Sequence, residues 1–233
     1  MSKHAIVTRE EWLAARRELL TREKAFMRQQ DELAAARRNL PRVRITKDYA
    51  FDGPHGPATL ADLFDGRSQL VVYHFMFGPD DEVGCKSCSF WADHFAGVLP
   101  HLHARDVSLV AVSRAQRSKL VPYAERLGWT FDWYSSHGSD FNFDFGVSFR
   151  PEQIGQMLYN FGTADAHIQE KHGVSTFVRD DAGDIFHAYS TFARGAEVIN
   201  GTYHFLDIAP KGRDEDDLPY TMAWVRRHDE YGT

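Results

Sequence analysis

Apolar residues run almost without interruption from Leu70 to Phe77. That is too continuous for a strand with one wet face, and it reads as a central strand covered on both sides. Val107 to Val112 reads as a second buried strand. Between them, from Ser89 on, apolar residues recur at helical spacing as far as Leu102 or His103. Gln116 to Leu127 is a second helical pattern, with Leu120, Tyr123, Ala124 and Leu127 on one face and Gly128 as its stop. Trp129 to Tyr134 reads as a strand. Strands alternating with helices predict βαβ units with parallel neighbours. Later, Ser175–Arg179 and Asp184–Tyr189 flank the turn residues Asp180–Gly183 and predict a β-hairpin. Residues from Ala193 to about Asp207 read as an amphipathic helix.

The flanks are patterned differently. Thr8 with Glu11 three residues on is a capping box, and no glycine or proline follows until Pro41. One long helix is predicted there, continuous or broken near Thr21. Trp12, Leu19, Phe26, Leu33 and Leu40 recur every seven residues, shadowed by Leu13, Leu20 and Met27. The positions that would complete an a/d seam are Arg16, Glu23, Gln30 and Arg37, or Ala15, Arg22, Gln29 and Ala36, so the stripe is too narrow and incomplete for a free coiled coil. The helix is expected to pack on its own domain or on a second subunit, which makes a homodimer through the N-terminal helix the expected assembly.

Arg42 to Ile45 alternates like an edge strand, Asp52–Pro57 is turn-rich, and Thr59–Phe64 reads as a short helical turn. Ser139–Gly146 alternates polar and aromatic residues, as a cleft-lining loop or half-buried strand would, or as ordinary packing. Pro151 to about His172 is polar, with a helix at its start. Lys211–Asp217 reads as a charged, solvated tail, docked by Trp224 and Tyr231. The organisation expected is a helical extension (1–41), an α/β domain (42–209) and a tail (210–233).

Composition narrows the class. With 43% apolar and 26% charged residues the chain is an ordinary globular protein. A net charge of −6 argues against a nucleic-acid binder. No apolar run approaches the ~20 residues of a membrane span. Met1 to Val7 carries no leader pattern, so a cytoplasmic location is the expectation.

The chain has two cysteines, Cys85 and Cys88, and they stand between a strand and a helix. A Cys-x-x-Cys in that context reads as a redox dithiol. Free backbone N–H groups and the helix dipole at a helix start favour thiolate over thiol, and Lys86 adds a positive charge. Cys85 would attack and Cys88, one turn in and shielded by Phe90 or Trp91, would resolve the mixed disulfide. The acids Asp80, Asp81 and Glu82 oppose Lys86, so a modest lowering of the Cys85 pKa is expected. Two other readings are a buried apolar pair and half a zinc site completed by His94, His101 or His103; the lack of a second cysteine pair weighs against zinc. The expectation is no metal and no cofactor.

The order of elements resembles the thioredoxin fold, a central mixed sheet with helices on both faces. Gly56–Phe64 followed by Leu70–Phe75 resembles the lead-in of peroxiredoxin-type members. Phe77-Gly78-Pro79, Gly84–Asp93, Val110–Arg114, Gly138–Asn142, Tyr189–Gly195 and Trp224–Tyr231 together resemble, over nearly the full length, a bacterial family described as thioredoxin-like predicted dithiol-disulfide oxidoreductases. That resemblance implies disulfide exchange with a protein or small-molecule thiol or disulfide, and no nucleic-acid or membrane partner. It places Ser175 where thioredoxins carry a cis-proline facing the dithiol, and His74 where they carry a buried acid. His74 would then accept the Cys88 proton, or be a satisfied core histidine. Lys86, Ser175 and Trp91 would border the substrate groove. The peroxiredoxin Pro-x-x-x-Thr-x-x-Cys loop is absent, because Pro79 is one position too close to Cys85 and Val83 carries no hydroxyl. A thiol peroxidase is the first alternative. A non-catalytic binding module with structural or metal-holding cysteines is the second.

Overall fold

The computed structural model describes residues 5–162, 164–165 and 168–232, which form two compact units, Met1–Pro41 and Arg42–Thr233. In the first, helix α1 (Arg9–Arg38) runs unbroken for 30 residues, about 45 Å at 1.5 Å per residue. The capping box closes its start: Glu11 N donates to Thr8 Oγ1 at 3.2 Å and Thr8 N to Glu11 Oε2 at 2.9 Å. Thr21 does not break it, because its hydroxyl donates back to Arg17 O at 3.2 Å and so stays within the helical pattern. Arg16 and Glu23 pair at 2.8 Å along one side.

The second unit is built on an eight-stranded mixed sheet. Its elements in chain order begin with β1 (Val43–Arg44), β2 (Ala50–Gly53), β3 (Gly56–Thr59), a 3₁₀ turn (Asp62–Phe64) and β4 (Gln69–His74). Then come α2 (Lys86–Ala92), α3 (Phe95–His103), β5 (Val107–Ser113), α4 (Arg117–Arg126), β6 (Trp133–Ser135) and α5 (Phe141–Asp144). A two-residue hairpin follows, β7 (Leu158–Tyr159) with β8 (Ala164–Asp165), and then β9 (Gly173–Arg179), β10 (Ile185–Phe192), a 3₁₀ stretch (Ala193–Ile199) and α6 (Gly201–Ile208).

The strands lie in the order β1-β10-β9-β4-β5-β6-β2-β3. β4, β5 and β6 are parallel neighbours, β9 and β10 form the antiparallel hairpin, and β4 is central between β5 and β9. This is the thioredoxin-like α/β arrangement. Two crossovers stepping the same way, β4 to β5 and β5 to β6, put α2, α3 and α4 on one face. There they bury Tyr73, Phe75, Phe77, Cys88, Phe95, Leu120, Tyr123 and Trp133 together. The other face is closed by the Asp62–Phe64 turn and α5 over Leu70, Val72, Val110, Val112 and Phe177.

Several predicted elements take another form. The helix after the cysteines is split at Asp93–His94 into α2 and α3, and the helix after Phe192 at Asn200, whose Oδ1 caps α6 through Tyr203 N at 3.1 Å. The strand predicted over Trp129–Tyr134 is confined to Trp133–Ser135, because the Trp129 indole turns away to donate to Asp93 Oδ1 at 2.8 Å. The alternating stretch Ser139–Gly146 is a short helix rather than a strand. Phe141 and Phe145, four apart, stack inward at 4.7 Å, and Phe143 points out beneath the Arg114 and Arg150 guanidinium groups, 4.3 and 4.6 Å from its centre. The helix expected after Arg150 is a single 3₁₀ turn, Pro151–Gln153.

The C-terminal segment is exposed at Lys211, Asp214, Asp216 and Asp217 and is docked further on, as expected of Trp224. Val225 is fully buried, and Trp224 packs on Phe90 at 5.5 Å. Glu215 Oε1 accepts from the Tyr203 hydroxyl, Met222 N and the Trp224 indole at 3.0, 3.1 and 2.6 Å.

Candidate active site

The parallel strands end at one edge, where ligands bind in open α/β sheets. Beyond β4 the chain crosses the loop Gly78–Gly84, which is pinned at several points. Gly78 N donates to Asp81 Oδ2 at 2.6 Å, and Lys119 Nζ donates to Pro79 O and Asp81 O, both at 2.8 Å. Cys85 N donates to Met76 O at 3.1 Å, and Arg227 Nη2 to Gly84 O at 2.8 Å. A Cβ at Gly84 would lie 3.0 Å from ring carbons of both Phe75 and Tyr123, so any larger residue would have to displace one of these buried rings. The loop thus delivers Cys85 as the residue capping α2, with its carbonyl accepting from Ser89 N at 3.0 Å.

The two cysteines are both free thiols and differ in exposure: Cys85 is partly exposed and Cys88 only 1% exposed. The Cys88 thiol, the N–H groups of Cys88 and Ser87 and the Ser87 side chain hold Cys85 down at about 6, against the opposing effect of burial. Burial first, and the neighbouring Cys85, push Cys88 well above an ordinary thiol; only Met76 N, 3.4 Å from its sulfur, and the Tyr73 hydroxyl work the other way. The pair therefore offers one reachable thiolate and one protonated thiol beneath it at neutral pH. Lys86 is not among the groups that lower Cys85; its ammonium reaches back to Ala223 O at 3.4 Å.

Cys85 opens on a cleft of about 650 Å³ with Met76, Val83, Ile154 and Ile168 as apolar wall and Asp80, Asp81 and Glu170 as acids. Glu170 is buried. Ser148 Oγ donates to it at 2.7 Å and Arg114 Nη1 at 2.6 Å, while burial raises its carboxyl.

Three of the residues expected around the dithiol lie elsewhere. Successive side chains of a strand point to opposite faces, and Tyr73, not His74, shares the face of Cys88. His74 is fully buried on the other face against Phe141 and Phe145. Burial, then His187, push it down to about 3, so it is a neutral core histidine and not an acceptor beside Cys88. Ser175 stands opposite Val72 in the middle of β9, also fully buried, and its Oγ shares hydrogen bonds of 2.8 Å with His74 Nε2 and Ser190 Oγ. It borders no groove. Trp91 is 4% exposed and donates to Ala196 O at 2.9 Å, an anchor for the segment after β10 rather than a groove wall.

Sequence reasoning missed two groups here, Tyr73 and Glu170. Tyr73 shares the strand face of Phe75 and Phe77, but in a strand buried on both sides the sequence does not say which face meets the cysteines. Glu170 is brought in by a loop that no local pattern marks. Among the histidines weighed for zinc, His94 Nε2 is taken by Thr202 Oγ1 at 2.9 Å, and the described residues contain no group of three or more metal-ligating side chains. Among the described residues no helix is long and apolar enough to cross a membrane.

The family model described as "Bacterial protein of unknown function (DUF899)" matches residues 1–231, and the chain belongs to this family. No curated protein matches it. Among solved structures, a cysteine mutant of Xylella fastidiosa PrxQ is similar at 17% identity and a TM-score of 0.42, covering 67% of this chain and 89% of that one. Peroxidoxin BcpB from Mycobacterium tuberculosis is similar at 18% identity and a TM-score of 0.42, over 67% and 91%. A mutant of peroxiredoxin 6 from Arenicola marina is similar at 14% identity and a TM-score of 0.45, over 69% and 71%.

Proposed function

We propose that this member of the family is a thiol–disulfide oxidoreductase with Cys85 and Cys88 as its redox pair. One observation carries the reading: a partly exposed thiol, held down at about 6 and open to a cleft, lies over a buried, protonated partner. In the first step the Cys85 thiolate attacks one sulfur of a disulfide, forming a mixed disulfide and expelling the other sulfur as a thiolate. In the second, the Cys88 sulfur attacks Cys85 Sγ. The bond between the two cysteines forms, the bond to the substrate breaks, and the Cys88 proton leaves with the departing substrate thiolate. The substrate gains two electrons and the pair loses them; run backwards, the same steps oxidise a dithiol.

His74 has no part in this proposal, and no metal or cofactor is needed. The cleft beside Cys85 supports a substrate with an apolar flank, which suits a peptide or a small organic disulfide equally.

The test is a redox titration of the full chain in glutathione buffers, with mass detection of the two-proton change. A cycling pair titrates within roughly −120 to −300 mV, a span that takes in the known dithiol proteins. Absence of an intramolecular disulfide across that span overturns the reading. A parallel assay of hydrogen peroxide consumption coupled to thiol decides for a peroxidase if Cys85 turns over peroxide faster than a model disulfide.

A further inference from the structure

The cysteine face of the sheet is rich in polar side chains, and almost all of them are occupied. Ser89 Oγ bonds to Cys85 O and to the Tyr123 hydroxyl at 3.0 and 2.9 Å. The Trp91 and Trp133 indoles donate to Ala196 O and Ser113 Oγ at 2.9 and 3.0 Å. The Tyr159 hydroxyl donates to His172 O at 2.5 Å. Besides the Asn200 amide nitrogen further along this layer, the exception is Tyr73. Its side chain is fully buried against Phe75 and Phe95, with edge-to-face contacts at 6.3 and 5.1 Å, and its hydroxyl has no well-formed hydrogen bond. Cys88 is buried in the same cluster and is the neighbour that acts most strongly on that hydroxyl.

An unpaired buried hydroxyl is unfavourable and needs a reason. A neutral thiol is a weak acceptor, whereas a thiolate is a strong one. Resting Cys88 is a neutral thiol, and it carries negative charge only while it attacks Cys85. We propose that Tyr73 is a catalytic hydrogen-bond donor whose O–H engages the Cys88 sulfur as that sulfur becomes a thiolate in the resolving step. This rests on the dithiol reading and adds to it the group that makes Cys88 a competent nucleophile.

The bonds made and broken are those of the second step, and the Cys88 proton still goes to the departing substrate thiolate. Tyr73 keeps its own proton throughout, since burial, then Cys88, raise its phenol well above the ordinary value. It is a donor beside developing charge in a fully buried site, where such donors are most effective. Met76 N, 3.4 Å from the same sulfur, is the second donor. His74, one residue along, cannot substitute, because it lies on the far side of the sheet.

The experiment is rapid-quench mass spectrometry of the full-length Tyr73→Phe protein reacting with hydroxyethyl disulfide. Phenylalanine keeps the ring and removes only the donor. Mixed-disulfide formation on Cys85 should keep the wild-type rate, while its resolution slows by about 10- to 100-fold, as for loss of a hydrogen bond to charge. The mixed disulfide then accumulates. The reduction potential at pH 7 should stay put, because Cys88 is uncharged in both the dithiol and the disulfide; a merely structural role would move the potential or slow both steps alike. Resolution at the wild-type rate, or equal slowing of both steps, overturns the inference alone. Absence of any mixed disulfide on wild-type Cys85 overturns the dithiol reading with it. Should Tyr73→Phe fail to fold, 3-fluorotyrosine placed at the same position, a stronger donor of the same shape, should speed resolution; an unchanged rate overturns the proposal.

Discussion

Tyr73 and His74 are neighbours on β4, both fully buried, yet the two faces they enter are organised on opposite principles. On the cysteine face the reactive groups are left open: a thiolate at the cleft, a thiol beneath it, and a hydroxyl without a well-formed bond. On the other face the polar groups close on one another. His74 Nε2, Ser175 Oγ, Ser190 Oγ and His187 Nε2 form a chain with links of 2.8, 2.8 and 2.7 Å, crossing from β4 over β9 to β10. Three links and two hydroxyl protons require one ring N–H; assigning it to His74 Nε2 leaves a bare Nδ1 as the unpaired atom. With every link of the chain made, such a buried network fixes structure even though one acceptor stays open. It ties the central strand to the hairpin in a single register, where a slip of one residue would exchange the two faces. The comparison teaches that burial and polarity alone do not mark a working group.

The comparison can be broken most sharply at its ends. Cys85→Ser should lower exchange with a model disulfide by at least about 1,000-fold, with little change in melting temperature. His74→Ala should do the reverse. It leaves a cavity and an unpaired serine, destabilising by about 3 kcal/mol in urea, while exchange by the folded fraction stays within about two-fold of wild type. Loss of exchange as severe as in Cys85→Ser would mean that the two faces are coupled.

Smaller effects sharpen the contrast. Iodoacetamide should label Cys85 with a midpoint near pH 6 and leave Cys88 unlabelled at neutral pH; equal labelling of the two would remove the asymmetry. On the other face the signature is in stability. His74 sits at about 3 in the fold against 6.5 for an ordinary imidazole, so between those values the unfolded chain binds the proton and the folded one does not. Stability from this group is therefore complete above pH 6.5 and is lost on acidification at about 1.4 kcal/mol per pH unit. His74→Gln, which can still hydrogen-bond Ser175, should flatten the wild-type slope between pH 6 and 4 by one proton. An unchanged slope would refute the assignment.

Much of the fold was legible because it is written in local patterns. The Thr8/Glu11 box, the run Leu70–Phe77 and the turn Asp180–Gly183 each fix an element without help from distant residues. The site was legible only to the two cysteines. Assigning His74 and Ser175 to the dithiol failed on parity: a fully buried strand shows no alternation of apolar and polar residues, so nothing local says which side chain faces which layer. Trp91 and Lys86 failed for another reason. Their partners, Ala196 and Ala223, lie more than a hundred residues away, and backbone carbonyls leave no mark in a sequence. The period-two aromatics around Phe141 misled because two of them also stand four apart, the spacing of a helix.

Arg227 closes the active-site loop from far along the chain. Its guanidinium donates to Gly84 O, 143 residues upstream, and to the Tyr123 hydroxyl at 2.6 Å. During synthesis, then, the strand and helix that hold the cysteines leave the ribosome long before the residue that fastens their loop. For that interval the nascent chain carries Cys85 and Cys88 behind a loop that its later partner has not yet fastened, open to whatever oxidant is at hand.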